Sequence, residues 1–172
     1  MLAAAAVQGD ADAFSLLLSR HYDRIYRVGW RVLGGREAAK DLAQDVCLAL
    51  PAKLASYRAD AKFSTWLYSV TMNAARDRLR RRATRAKANE GWGETTKLAR
   101  AEAAEAASER DWLNEAMAAL PEDLRETVAL TLGEDLTHAE AAEALGISQG
   151  TVSWRMSEVK RRLRAMAEEQ SV

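Results

Sequence analysis

Apolar residues recur at helical spacing along most of this chain, and β-branched runs are absent. Phe14, Leu17, Leu18, Ile25, Val28 and Val32 mark a first helix from about Ala11 to Leu33, capped by Asp10 and ended by Gly34-Gly35. Leu42, Val46 and Leu50 mark a second from Glu37 to about Leu54, which Pro51 should kink or break. The loop over 55–62 leads to a third long helix from about Ser64 to Arg82, with Phe63, Trp66, Leu67, Val70 and Ala74 on its buried side. Over 83–110 the apolar stripe lapses into Ala, Glu and Lys, which reads as a tether, helical in parts. Spacing resumes with Leu113, Met117, Leu120, Leu124 and Val128. Pro121 suits the first turn of a new helix there, Glu122 and Asp123 its positive end, and Gly133 its close. The pattern predicts an all-α protein, with two small helical domains (1–82 and 111–172) joined by a linker (83–110).

The last third reads as two helices around a tight turn, a helix-turn-helix. Thr137 with Glu140 makes a capping box, Gly146 a left-handed stop, Ile147 a plug for the turn and Ser148 the cap of the second helix. On a helical wheel Val152, Met156, Val159, Leu163 and Met166 form the buried stripe. Opposite lie Gly150, Trp154, Ser157 and Arg161, flanked by Ser153, Glu158 and Arg164. A Trp turned from its own core, beside a Gly that admits close approach, fits a helix entering the DNA major groove. The plainer alternative is a surface helix whose Trp packs on a neighbour.

Composition adds exclusions. The 172 residues are 48% hydrophobic and 29% charged, with two Pro and nine Gly, as expected of a folded helical chain. No apolar run approaches the roughly 18 residues of a membrane span. The first seven residues are too short and lack the basic residues of a signal peptide. One cysteine, Cys47, rules out an internal disulfide, and two isolated histidines add no metal cluster. The expected compartment is the cytoplasm, with no cofactor. Cys47 reads as a buried small residue or a redox sensor.

The zero net charge conceals segregation. Residues 1–82 hold 14 Lys and Arg against 8 Asp and Glu, whereas 111–146 hold 1 against 9 and 147–166 hold 5 against 1. Two basic surfaces flank an acidic one, which suggests nucleic-acid contact at two places. The first is the third helix, whose face opposite the core stripe carries Thr65, Ser69, Met72, Arg76 and Arg80, with Asn73 at its border. Arginines crowding its end also suit the helix dipole by themselves. Tyr57, Phe63, Trp66 and Tyr68 in and before this helix suit unstacked bases beside a phosphate track. Phe63 and Trp66 are equally suited to the core, leaving Tyr57 and Asn73 as the better base readers.

Taken in order, these residues resemble a known family. Asp41-Leu42-Ala43-Gln44-Asp45-Val46, Phe63-Ser64-Thr65-Trp66-Leu67-Tyr68 and Asn73-Ala74-Ala75-Arg76-Asp77-Arg78-Leu79 look like region 2 of bacterial sigma factors. Leu120-Pro121 and the stretch from Leu136 to Leu163 look like region 4. The short tether identifies the extracytoplasmic-function (ECF) type. The resemblance implies a promoter-specificity subunit of RNA polymerase, without catalysis of its own, that directs transcription initiation. It also implies a partner anti-sigma factor.

It further implies roles by position. Asp41, Gln44 and Asp45 match the surface for the polymerase β′ coiled coil, and region 4 the partner of the β flap. Tyr57, Arg58, Lys62 and Phe63, together with Asn73, match the pocket for a flipped base of the −10 element, with Arg76 and Arg80 on phosphates. Gly150, Thr151, Ser153, Trp154, Ser157 and Glu158 match the −35 reading surface, with Arg155 and Arg161 on phosphates. Cys47 and Leu50-Pro51 stand where aromatics are common in the family, and Trp154 and Glu158 where a small residue and an Arg often stand. Two other classes fit the same motifs: an autonomous helix-turn-helix regulator, and a sigma-mimicking adaptor that sequesters an anti-sigma factor. An enzyme is not expected, because no nucleophile, base or metal ligand accompanies Asp41 and Asp45.

Overall fold

The computed structural model describes residues 2–89 and 115–170, and no strand occurs among them. The N-terminal half holds α1 (Leu2–Val7), α2 (Ala11–Leu33), α3 (Arg36–Leu54) and α4 (Phe63–Asn89). The C-terminal half holds α5 (Glu122–Thr131), α6 (His138–Leu145) and α7 (Gln149–Gln170), preceded by a helical stretch over 115–119.

Local chemistry places most boundaries. Asp10 accepts from the Ala13 N–H at 2.9 Å and opens α2, while Gly34 closes it. The α1 helix, absent from the sequence reading, lays Ala6 against Ala13, Leu17 and Leu54 in a small satellite core. Buried Leu54 also explains why α3 runs through Pro51. Pro51 forfeits its own N–H bond to the Cys47 carbonyl and no other, and the turn that follows it is anchored by packing of Leu54. The tether reading over 83–110 falls mostly outside the described residues, but its start continues α4 to Asn89.

The two halves share one core. Ile25, Val28, Val32, Leu42, Val46 and Leu67 belong to the same buried cluster as Leu124, Val128, Leu130, Leu145, Val152 and Met156. Contact runs from α2 to α5 and from α4 to α6. This corrects the expected outward face of α4, because Thr65 and Met72 are buried. A second layer of helices covers the side the sequence reading left to solvent.

Candidate nucleic-acid interface

The helix-turn-helix forms as its sequence dictates. Thr137 accepts from the Glu140 N–H and the Glu140 carboxylate accepts from the Thr137 N–H, which completes the capping box. Gly146 adopts φ 69°, a left-handed turn that costs other residues strain. Ser148 then accepts from the Thr151 N–H at 3.1 Å and starts α7. Val152, Met156 and Val159 are buried, whereas Gly150, Ser153, Ser157 and Arg161 are exposed and Trp154 is 63% exposed. A Cβ on Gly150 would meet only the Ser148 hydroxyl, at 3.7 Å, so this end of the helix is open to a large ligand.

The polar residues on this face are already organised. Glu158 accepts from Arg161 at 2.6 and 2.8 Å and from Arg162 at 2.8 Å. Those guanidinium groups, Arg161 first, hold its carboxyl down at about 2. Ser153 meets Nδ1 of His138 at 2.9 Å, so α6 reaches the reading face through an imidazole. Thr151 shares its hydroxyl with Ser148 at 2.8 Å. Arg155 is turned inward to Asp123 at 3.4 Å and ties α7 to the start of α5.

The second candidate surface lies at the start of α4. Tyr57, Phe63 and Trp66 form an aromatic cluster with centroids 5.4–5.5 Å apart, and His21 packs edge-on to Phe63 at 5.2 Å. The Tyr57 hydroxyl donates to the Ala61 carbonyl at 2.9 Å and fixes the loop, whose Ala59 is left-handed at φ 58°. Beside it opens a cleft of about 200 Å³ lined by Tyr57, Arg58, Thr65, Trp66 and Ser69. Its remaining wall includes Glu143 of α6. Asn73 is exposed and accepts from Arg76 at 3.4 Å. Arg80 is exposed and pairs with Asp77.

Asp41, Gln44 and Asp45 are exposed together on α3, and Arg78 of α4 pairs with Asp45 at 2.6 Å and Asp41 at 3.6 Å. Leu48, which the sequence reading passed over, is 80% exposed one turn further on. Helical spacing from Asp41 and Gln44 to Leu48 was its signal. Cys47 beside it is half-buried, and burial pushes its thiol up, so the reactive thiolate is scarce.

The larger omission is the seam between the halves. Glu134, its side chain 3% exposed, accepts from Arg27 at 2.9 and 3.0 Å, from Arg31 at 2.9 Å and from the Tyr68 hydroxyl at 3.0 Å. Burial alone would raise the Glu134 carboxyl, but those hydrogen bonds outweigh it and leave it below its ordinary value. Burial first, then the Glu134 charge, pushes the Tyr68 phenol up to about 12. Glu126, 4% exposed, grips Arg76 with both oxygens at 2.7 Å. Glu140 takes Lys62 at 2.7 Å. Arg125 donates to the Val32 carbonyl at 3.1 Å, near the end of α2. The charge segregation of the sequence was the sign of this seam.

Comparison with known proteins accords with this architecture. Residues 17–85 match Sigma-70 region 2, and residues 116–165 match Sigma-70, region 4. The chain is 32% identical over 164 residues to the ECF RNA polymerase sigma factor SigM of Mycobacterium tuberculosis, covering 94% of this chain and 81% of that protein. Its fold is similar to that of CnrH, solved in complex with the cytosolic domain of CnrY, with a TM-score of 0.72 and 27% identity over 98% of this chain and 96% of that one. The sigma factor RpoE of Bartonella quintana, solved with the anti-sigma factor NepR, shares the fold at 19% identity and a TM-score of 0.75, over 90% of this chain and 96% of that one.

Proposed function

The chain belongs to the ECF sigma factors of the sigma-70 family, and on that premise we propose that it binds core RNA polymerase and directs initiation at promoters it selects. The outward face of α7 carries the reading, since Trp154 stands 63% exposed on a helix whose other side is buried. In this role α7 docks in the major groove of the −35 element, with Ser153, Trp154, Ser157 and Glu158 toward base edges. Glu158 accepts from cytosine N4, and Trp154 packs on a thymine methyl or sugar. Arg161 approaches phosphate, which supplies affinity without sequence preference.

The −10 element is the site of the second contact, with a flipped base in the cleft beside Tyr57 and the strand along Lys62, Asn73, Arg76 and Arg80. Asp41, Gln44, Asp45 and Leu48 offer an acidic face with an apolar centre to a basic clamp on the polymerase. The proposed domains, 1–82 and 111–172 about a linker, follow these two contacts. The role is recognition rather than chemistry, exercised in the cytoplasm, where the polymerase works. An anti-sigma factor is the partner expected to hold the chain in check, as one partners RpoE.

Electrophoretic shift of a randomised promoter library with the chain, with core polymerase and with both tests this reading. Shifted, sequence-selected DNA is expected only with both. A selective shift by the chain alone at physiological salt would instead mark an autonomous regulator.

A further inference from the structure

Several helical hydroxyls in this chain turn back onto their own helix. Ser69, Thr71, Thr127 and Ser157 each donate to a carbonyl three or four residues earlier, at 2.7–3.0 Å. Ser153, exposed on the outward face of α7, instead lies 2.9 Å from Nδ1 of His138 at the start of α6. The capping box of Thr137 and Glu140 fixes the turn on which that imidazole stands. Behind the pair, α6 packs on α7, with Ala141, Ala142 and Val152 in one buried cluster. His138 and Ser153 therefore meet across a fixed corner.

A lone serine hydroxyl is ambivalent toward base edges, because it offers one hydrogen and two lone pairs. Once its hydrogen goes to an imidazole nitrogen, only lone pairs remain, and it can serve only a base that donates. In the major groove those donors are adenine N6 and cytosine N4. Donation to Nδ1 places the ring hydrogen on Nε2, since a neutral imidazole carries one donor and one acceptor. An Nε2–H also suits a nearby phosphate backbone, to which the reverse tautomer would turn a lone pair.

We propose that His138 is a positioning residue for promoter selection, which takes the Ser153 hydrogen and so makes Ser153 a one-way reader of adenine or cytosine amino groups. The proposal rests on the reading of α7 as the −35 helix and deepens it by naming the chemistry of one contact. Ser157, whose hydrogen goes to the Ser153 carbonyl, supplies a control, because its polarity is set without His138.

Holoenzyme assembled from core polymerase and the full chain is tested on promoters in which each −35 base pair is replaced in turn. Affinity is read by competition anisotropy, with helix content and melting as the check on folding. Ser153→Ala identifies the base pair that Ser153 reads, as the position where preference collapses. There the wild type should favour the amino-bearing base by about fivefold, the worth of one hydrogen bond. His138→Ala should abolish that same preference and leave the position read by Ser157 unchanged. The double variant should lose no more than either single one, because both act through one hydroxyl. His138→Asn, whose side-chain oxygen can stand where Nδ1 stood, should restore most of the preference. Equal weakening on all promoters by His138→Ala, additive losses in the double variant, or a preference for guanine or thymine at the Ser153 position would each overturn the proposal. So would a panel in which no position responds to Ser153→Ala. A −35 preference untouched by His138→Ala sinks this inference alone, whereas a holoenzyme with no −35 preference sinks the proposed function with it.

Discussion

At the scale of single residues, the reading face of α7 divides into side chains that carry stability and side chains free to carry specificity. Trp154 touches little of its own core, so Trp154→Ala should shift unfolding by no more than about 0.5 kcal/mol. The same substitution should change the preferred −35 sequence, which transcription from a promoter-variant panel reads directly. Arg161 presents a different case, because it also holds Glu158. Arg161→Ala should lower transcription from all promoters and flatten its salt dependence through the lost phosphate contact, and should further alter discrimination only at the base that the freed Glu158 reads. Residues whose partners lie close in sequence were legible beforehand. Thr137, Gly146 and Ser148 play their capping parts within a few residues of themselves. Glu134 was not legible, since its partners Arg27 and Arg31 lie more than 100 positions away.

At the scale of elements, helical spacing located α2, α3, α5, α6 and α7 to within a few residues, because one apolar stripe per helix is enough to mark it. It misjudged α4, which is buried on two sides, so that Thr65 and Met72 looked like solvent positions. The turn between α5 and α6 depends on close approach at Gly133. A Cβ there would lie 2.3 Å from the Ala129 carbonyl oxygen and 2.7 Å from the Arg31 guanidinium. Gly133→Ala should therefore cost about 1–3 kcal/mol in thermal or urea unfolding and loosen Arg31 from Glu134. Between α2 and α4, burial and then the nearby Arg24 and Arg20 charges lower the His21 imidazole below its ordinary value of 6.5. The unfolded chain thus binds this proton before the folded one does. Stability should decline as pH falls below about 6.5, and His21→Gln should flatten that slope in urea titrations at pH 5.5 to 7.5.

At the scale of the whole molecule, the linker composition and the two motif sets spoke for separate domains, and the described residues of both halves are helical. Their shared core and ionic seam became visible only in three dimensions, although the sequence, with a +6 balance over 1–82 and an acidic excess over 111–146, foreshadowed it. Glu134 sits below its ordinary 4.5 and Glu140 is drawn to about 2, first by Lys62 and then by Thr137. Depressed carboxyls stabilise the seam fully above about pH 4.5 and lose that contribution as pH falls through their folded values. Scattering should therefore show the molecule expanding in acid below that point. The most direct trial of the function is run-off transcription with purified bacterial core polymerase on a pool of random promoters, with and without this protein. Transcripts that appear only with the protein, and share one upstream duplex element and one start-proximal element, are the expected result. Core polymerase that binds the protein yet gains no promoter selectivity, or fails to bind it, would contradict a promoter-directing role.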